Sequence, residues 1–585
     1  MKSSFIRPIS LATLSFAALL ARADSVIWLV SENAVERFRA AATYLASPEL
    51  EGRGVGTAGL ALAEQYVANT FASIGIAPFA PNVGAAPEYQ HRIQVLTGVS
   101  IQNASLLYTG FEARLGIDFS AASMSANAAF DAEVINAGFG TKIPDMNYDD
   151  YANLDVKGKV VIVKRHLPEN TLPVEKQKEF SDLFFKIGLA RERGAAAVIF
   201  WIDDERGGDT LPDLTKQYRI TSIPVLNATR SLVQTWLSAS QPLRVQGNVA
   251  LKKSFSPAYN IVGSLGGACA NGANTVVLGA HLDHLGMGDD NSLEPTQKGL
   301  HPGADDNASG VAAMLEAAWI IRSQNSDVAL ETQCFVFTAF AAEEQGLVGS
   351  NALVSAWRKM NWMPKAMINL DMVGRLRNNN VAVFGANSAR EWPLLLTEQF
   401  EKEGLQGSLS SEDGLGKSDH VAFLIASVPS LFLHTGAHAD YHRTTDTADK
   451  LNADGAVRIA RMAAVTAMRV ANPSQKLEYT IPPQKDTGGD LPTWGAYLGT
   501  MPDYTGGNPD LKGVLLTGAV PGSPAEKAGV KPGDVLLAID ARPTQNIDDF
   551  MLVLRSLHPG DRIVLRILRG SEVVALPTVV GSRKR

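Results

Sequence analysis

Four apolar, strand-like runs in the middle of this sequence each lead to side chains able to hold a metal ion. Thr275–Ala280 runs into His281-Leu282-Asp283-His284, and Cys334–Phe340 runs into Ala342-Glu343-Glu344. Ala366–Leu370 runs into Asp371, and Val428–His434 leads after a short loop to Tyr441-His442. A fifth stretch, Asp305-Asp306-Asn307, lies among glycines between the first two runs and leads into a helix beginning near Ser309. Taken singly, each has an ordinary explanation: adjacent carboxylates beside glycines mark a solvated turn, and an Asp after a buried strand caps a helix. Their joint occurrence in one block points to chemistry. Carboxylate oxygens with imidazole nitrogens, and no thiolate, suit zinc in a catalytic site, with manganese or cobalt as substitutes. Two His and three carboxylates are too many for one tetrahedral site that keeps a water. They suit two ions roughly 3.5–4 Å apart that share a carboxylate.

Residues so far apart in sequence meet only if the fold collects them. From Asn260 to about Asn472 the pattern is strand, loop, helix, repeated, which predicts a mostly parallel sheet with helices on both faces. The carboxyl ends of such strands share one edge, where the ligand crevice lies, and the carboxylates of Asp305 and Asp306 can point into it. Upstream, Val35–Leu45 and Leu60–Ile74 show helical spacing on either side of a glycine-punctuated loop, Glu49 to Thr57. Between about Phe111 and Pro257 short apolar strands alternate with a helix near Phe180–Arg193, a separate α/β or β-rich unit without a ligand-spaced cluster. Pro473 to Pro492 reads as a flexible linker, and the tail from Thr493 has short strands and one helix, Ile547–Leu557.

Composition narrows the classes. A chain of 585 residues with 45% hydrophobic and 19% charged residues needs several cores and is not disordered. With 53 Lys+Arg against 60 Asp+Glu, a formal net charge of -7, it has no broad basic face for nucleic acid. Lys2 and Arg7, an apolar stretch from Ile9 to Leu20, and Ala21-Arg22-Ala23 form an export-signal pattern, the alternative being an uncleaved N-terminal anchor. The expected location is therefore periplasmic or secreted, with no membrane span in the mature chain. Cys334, inside an apolar strand, is expected to be a buried free thiol, although export would permit a disulfide with Cys269.

Five motifs carry a family resemblance: His281-x-Asp283, Gly303-Ala-Asp-Asp-Asn-Ala-Ser-Gly310, Ala342-Glu-Glu-x-Gly-Leu-x-Gly-Ser350, Asn369-Leu-Asp-Met372, and Tyr441-His-x-x-x-Asp-Thr447. Together they resemble the di-zinc aminopeptidases, which include bacterial secreted leucyl aminopeptidases and, more distantly, glutamate carboxypeptidase and the transferrin receptor. The resemblance covers roughly residues 32–80 and 260–472 and implies an α/β/α sandwich with a mostly parallel central sheet. It implies that Asp306 bridges two zinc ions, one completed by His281 and Asp371 and the other by Glu344 and His442. It also implies a cis peptide at Asp306-Asn307. Glu343 would be the general base, Tyr441 would steady the oxyanion, and Asp283 would hold the second nitrogen of His281. Asp446 would serve His442 in the same way or cap a turn. Lys417 falls where some relatives face the substrate with an arginine, and His284, His301 and His420 receive no role. The Asn307-Ala-Ser sequon reads as accidental.

Two flanking segments also resemble known modules. Asp155–Val161 with Arg193–Ile199 looks like a protease-associated domain, and Gly522–Asp534 looks like part of a bacterial PDZ domain. In the latter, Tyr497-Leu498-Gly499-Thr500 would receive a peptide carboxylate, unless the domain acts only as a brace. The expected organisation is an export signal at 1–23, peptidase-domain residues at 24–110, a protease-associated domain at 111–257, the zinc-peptidase domain at 258–472, a linker at 473–492 and a PDZ domain at 493–585. Peptides are the expected substrates. A zinc carboxypeptidase of the same fold and a catalytically inactive receptor or scaffold are the competing readings.

Overall fold

The structure, a computed structural model, describes residues 33–582 apart from internal stretches that include 144–147, 168–179, 203–208, 213–220, 325–329, 410–417, 481–495, 503–511 and 546–548. The expected export signal, Lys417 and most of the expected linker lie outside the described residues.

Helices α1 (Ala34–Leu45) and α2 (Ala58–Ile74) form where apolar spacing predicts them, and the side chains of Asn33 and Thr57 cap their first N–H groups. Strand β1 (Gln90–Tyr108) pairs antiparallel with β2 (Arg244–Leu265). The parallel part of the sheet comprises β3 (Thr275–His281), β4 (Cys334–Phe340), β5 (Ala366–Leu370) and β6 (Ser430–His434), in the spatial order β6-β5-β3-β4, with β2 antiparallel against β4. Every residue of β3, β4 and β5 is buried. Their unbroken apolar sequences follow from that: a strand covered on both faces has no wet side with which to alternate. Val276, Leu278 and Ala280 pack into the layer of α1, α2, α3 (Gly310–Gln324) and α5 (Ala453–Ala471), while Val277 packs into the layer of α4 (Val348–Lys359). This is the α/β/α sandwich the sequence predicts. The chain leaves β3 for β4 on one side and later places β5 and β6 on the other, so the boundary between β3 and β5 is a topological switch point.

Residues 111–257 have cores of their own around the parallel strands Val160–Lys164, Ala197–Trp201 and Val225–Ala228. Strand β2 runs unbroken through the expected boundary at 257/258, and its first half pairs with Ala128–Asn136, so one sheet carries both units. The C-terminal unit is an antiparallel sheet of Val514–Ala519, Val535–Ile539, Arg562–Arg569 and Glu572–Val579 around a small core. Its expected helix at 547–557 lies only in part among the described residues.

Two expectations are corrected. Cys334 is not a free thiol: it forms a disulfide with Cys269, 65 residues away in sequence. The antiparallel pairing of β2 with β4 sets Leu265 beside Phe335, which brings the loop after β2 to the start of β4. The first part of the expected linker is also docked. Tyr479 pairs with Ala389 and donates its hydroxyl to the Leu424 carbonyl at 3.0 Å, and the N–H of Thr480 donates to Ser388 O at 2.9 Å.

Candidate metal centre

The expected ligands meet at the carboxyl edge of the sheet. His281 ends β3 and Asp371 follows β5, on the two strands that flank the switch point, and Glu343-Glu344 follow β4. Asp306 arrives on the turn into α3, through a cis Asp306-Asn307 peptide, as the resemblance implies. Gly303 before it has a positive φ of 56°, and a Cβ there would lie 2.2 Å from the Asp306 carbonyl, so only glycine fits this approach.

The Asp306 carboxylate sits between two groups of donors. Its Oδ1 lies 3.1 Å from His281 Nε2, which lies 3.3 Å from Asp371 Oδ1. Its Oδ2 lies 3.1 Å from His442 Nε2, which lies 3.3 Å from Glu344 Oε2. Two donors on one tetrahedral zinc, each roughly 2.0–2.2 Å from the ion, stand about 3.3–3.5 Å apart. The donor set therefore fits two small divalent cations that share Asp306.

Both imidazoles are oriented for that task by main-chain carbonyls. Nδ1–H of His281 donates to Asp283 O at 3.1 Å and Nδ1–H of His442 donates to Asn291 O at 2.8 Å, which turns each Nε2 toward the carboxylates. Here one expected contact is corrected, and the alternative left open for Asp446 is decided in favour of the turn. The carboxylate of Asp283 does not hold His281: it accepts the N–H groups of Glu343 at 3.0 Å and Glu344 at 3.3 Å, and so fixes the loop that carries both glutamates. Asp446 does not serve His442: it accepts the N–H groups of Asp305 at 2.8 Å and Asp306 at 3.1 Å and is paired with Arg375 at 2.9 Å. Asp305, expected to face the crevice, turns away to the Gly374 N–H at 2.6 Å and to His438 at 3.0 Å. In each case the carboxylate satisfies backbone donors that would otherwise be buried without partners.

The imidazoles and carboxylates shift one another's protonation. Burial opposes a charged His442, yet hydrogen bonds to Asp306 and Glu344 raise its pKa to about 11. Burial also works against His281, which Asp371, Glu343 and Asp306 hold well above the ordinary value. Burial would raise Asp306, but its hydrogen bonds to the two imidazoles keep it well below the usual carboxylate range. Glu344 ends at about 2, as hydrogen bonds from His284 and His442 overcome burial and the Asp306 charge. Glu343 behaves in the opposite way: burial, with Glu344, Asp419 and Asp371 nearby, raises it well above its ordinary value against the pull of His281. Tyr441 is raised mainly by burial and then by the carboxylates, so it is a protonated donor. Its ring stacks on His442 with centroids 3.8 Å apart.

Two neighbours of the centre received no role from the sequence. His284 Nδ1 lies 2.8 Å from Glu344 Oε1 and 3.9 Å from Asp306 Oδ2, a second imidazole beside the same two carboxylates. Asp419 is fully buried, and burial, foremost, raises it to about 7. His301 is held by the Ser292 hydroxyl and the Gly299 carbonyl, and His420 stacks on Phe432, neither of them among the donor groups.

A buried carboxylate–imidazole centre on the carboxyl edge of an α/β/α sandwich defines the class of metal-dependent hydrolases of that architecture. Residues 260–467 match the model of Peptidase family M28 and residues 516–569 that of the PDZ domain. The chain thus contains a segment similar to peptidase family M28 and, C-terminal to it, a segment similar to a PDZ domain. Among curated proteins, a probable leucine aminopeptidase of Arthroderma benhamiae is 31% identical over 179 residues, 30% of this chain and 45% of that protein. A probable lipoprotein aminopeptidase of Mycobacterium tuberculosis, LpqL, is 27% identical over 441 residues, 68% of this chain and 77% of that protein. The chain thus spans about half the length of the fungal relatives, 45% for the first. Among solved structures, a zinc aminopeptidase from Bacillus subtilis is similar at 22% identity and a TM-score of 0.45, covering 74% of this chain and 93% of that one. An aminopeptidase from Aneurinibacillus is similar at 19% identity and a TM-score of 0.47, covering 77% of this chain and 96% of that one.

Proposed function

We propose that this chain is an exported di-zinc aminopeptidase that removes N-terminal residues from peptides. The observation that carries this reading is the division of Asp306, one oxygen toward His281 and Asp371, the other toward His442 and Glu344. Two zinc ions held there would polarise the substrate carbonyl and lower the pKa of the attacking water. Glu343 takes the proton from that water and hands it to the leaving amine. Tyr441, kept protonated, donates its hydroxyl to the oxyanion that develops on the former carbonyl oxygen. Asp283 acts through the Glu343-Glu344 backbone and is a positioning residue.

The same division of labour extends to the flanking units. Residues 111–257 are read as a protease-associated domain. The PDZ loop Tyr497–Thr500 takes the free C-terminus of a long peptide; Gly499 sits there at a φ of 70°. An aminopeptidase is favoured over a carboxypeptidase because Arg375 is held by Asp440 and Asp446 and is not offered to a substrate carboxylate. The test is a panel of aminoacyl-anilides beside peptides with blocked N-termini or blocked C-termini, with zinc content measured on the same preparation. Two zinc ions per chain and hydrolysis that requires a free N-terminus are expected. Hydrolysis that requires a free C-terminus instead would replace the reading with the carboxypeptidase one.

A further inference from the structure

The loop between α1 and α2 holds a side chain that no ligand list contains. Arg53 is fully buried, and its guanidinium is spent entirely on main-chain carbonyls. Nε–H donates to Leu282 O at 2.8 Å, Nη1–H to Pro302 O at 2.8 Å and to Leu45 O, and Nη2–H to Gly303 O at 2.8 Å. Leu282 follows the ligand His281, and Pro302-Gly303 lead into the bridging ligand Asp306. Three segments remote in sequence are therefore bolted together by one planar group: the end of α1, the loop after β3 and the turn into α3.

The backbone of the same loop continues the contact. Glu51, Gly52 and Arg53 have φ values of 49°, 62° and 51°, three consecutive left-handed residues. This turns two carbonyls toward the loop after β3, where Gly52 O accepts from the Gly286 N–H at 3.1 Å and Arg53 O accepts from the His284 N–H at 3.2 Å. A Cβ on Gly52 would lie 2.5 Å from His301 O and 2.6 Å from Gly286 O, so the approach requires glycine. Left-handed backbone at two residues with side chains is costly and persists where surrounding contacts enforce it.

None of the guanidinium's hydrogen bonds goes to a carboxylate. A buried cation in such a place is normally paired. The charges that favour it are the carboxylates of Asp306, Asp283, Asp446 and Glu344, the acidic wall of the metal centre itself, and burial leaves Arg53 protonated at neutral pH with a pKa of about 10.

We propose that Arg53 is a positioning residue that assembles the metal centre before the metal arrives. It fixes the distance between the loops that carry His281 and Asp306, and its charge lowers the cost of crowding carboxylates there while the ions are absent. Its role is in metal affinity and not in the chemical step. The inference rests on the zinc centre proposed above.

The experiment measures zinc binding directly, on full-length protein stripped of metal, by competition with a chromogenic chelator. Arg53→Lys keeps the charge but offers a compact ammonium that cannot span the carbonyls of Leu282, Pro302 and Gly303. It should weaken zinc binding by about 10- to 100-fold, as loss of a supporting contact around a metal ligand does. At saturating zinc its kcat should return to within a few-fold of the parent's. The control is Arg37→Lys. Arg37 is equally buried, and its guanidinium pairs with the Glu316 carboxylate on α3 and lies over the Trp319 ring. A merely structural role would have both variants lower thermal stability and neither change the zinc affinity of the folded protein. A second measurement needs no variant: hydrogen exchange at the amides of 284, 286, 305 and 306 in the metal-free parent should already be slow. Parent-like zinc affinity in Arg53→Lys, an equal loss in Arg37→Lys, or fast exchange at those amides in the metal-free protein would each overturn the inference. A parent that binds no zinc would instead remove the proposed function, and this inference with it.

Discussion

The metal centre and the C-terminal unit solve opposite problems. At the centre, side chains from β3, β4, β5 and the loops beyond converge so that His281, Asp306, Asp371 and His442 are each less than a tenth exposed. The C-terminal unit has no such cluster among its described residues. Its ionic pair, the buried Asp534 with the partly exposed Arg569 at 2.8 Å, ties Gly529 and Lys531 into the sheet and belongs to the fold. What the proposed reading has it offer a ligand is main chain: the turn at Leu498-Gly499 and the strand Thr500–Pro502, which pairs with Val514–Ala519. Hydrolysis needs charged groups held at fixed separations in a dry place, which requires a deep, multi-layer core. Capture of a chain end needs only an open edge with spare N–H groups, which a small sheet supplies.

The comparison breaks most completely at the bridging ligand. Asp306→Asn removes the carboxylate that both imidazoles face, and zinc content and anilide hydrolysis should both fall below detection while the PDZ unit is untouched. Glu343 sharpens the distinction between holding metal and moving protons. Glu343→Ala should keep close to the full zinc content and lower kcat at least roughly 100-fold, the scale of general-base help. Full activity with full metal would remove it from the mechanism. Next comes the C-terminal unit. Because Tyr479 and Thr480 are docked on the peptidase domain, the chain should be cut after Thr480. Such a chain should hydrolyse aminoacyl-anilides at the parent rate and show a KM for long peptides raised several-fold, since tethering acts through effective concentration. Equal loss on both substrate classes would make the unit a brace.

The smallest effect concerns pH and the scaffold behind the crevice. Glu64 on α2 accepts the Tyr259 N–H at 2.9 Å, and burial raises its pKa from 4.5 to about 7. The folded state then binds more protons than the unfolded one across that window. Stability should therefore fall as pH rises from 4.5 toward about 7 and level off above it. Glu64→Gln should flatten that slope in thermal melts across the same pH range.

The sequence determined the elements and the identity of the donors. Buried parallel strands must read as apolar runs, and the residues that follow such runs must lie on one edge, so His281, Glu344 and Asp371 could be found by where the runs stop. The motif resemblance singled out Asp306 from the pair Asp305-Asp306 as the bridge, divided the other donors between two ions, and implied the cis peptide between Asp306 and Asn307. Only the tertiary structure decided which buried polar group faces which. The Asp283 carboxylate went to two backbone amides and its carbonyl to His281, and Asp446 went to the turn into α3 and not to His442, because a buried N–H must find an acceptor wherever the packing leaves it. Cys269 and Cys334 were joined by strand pairing that local composition does not encode. Arg53, one arginine between two glycines in a loop, has no role legible in the sequence until the ends of α1, β3 and the turn into α3 are placed around it. Local spacing dictates the period of an element and the side chains at its end. The partner of a buried charge depends on distances between segments that meet only after the layers have packed.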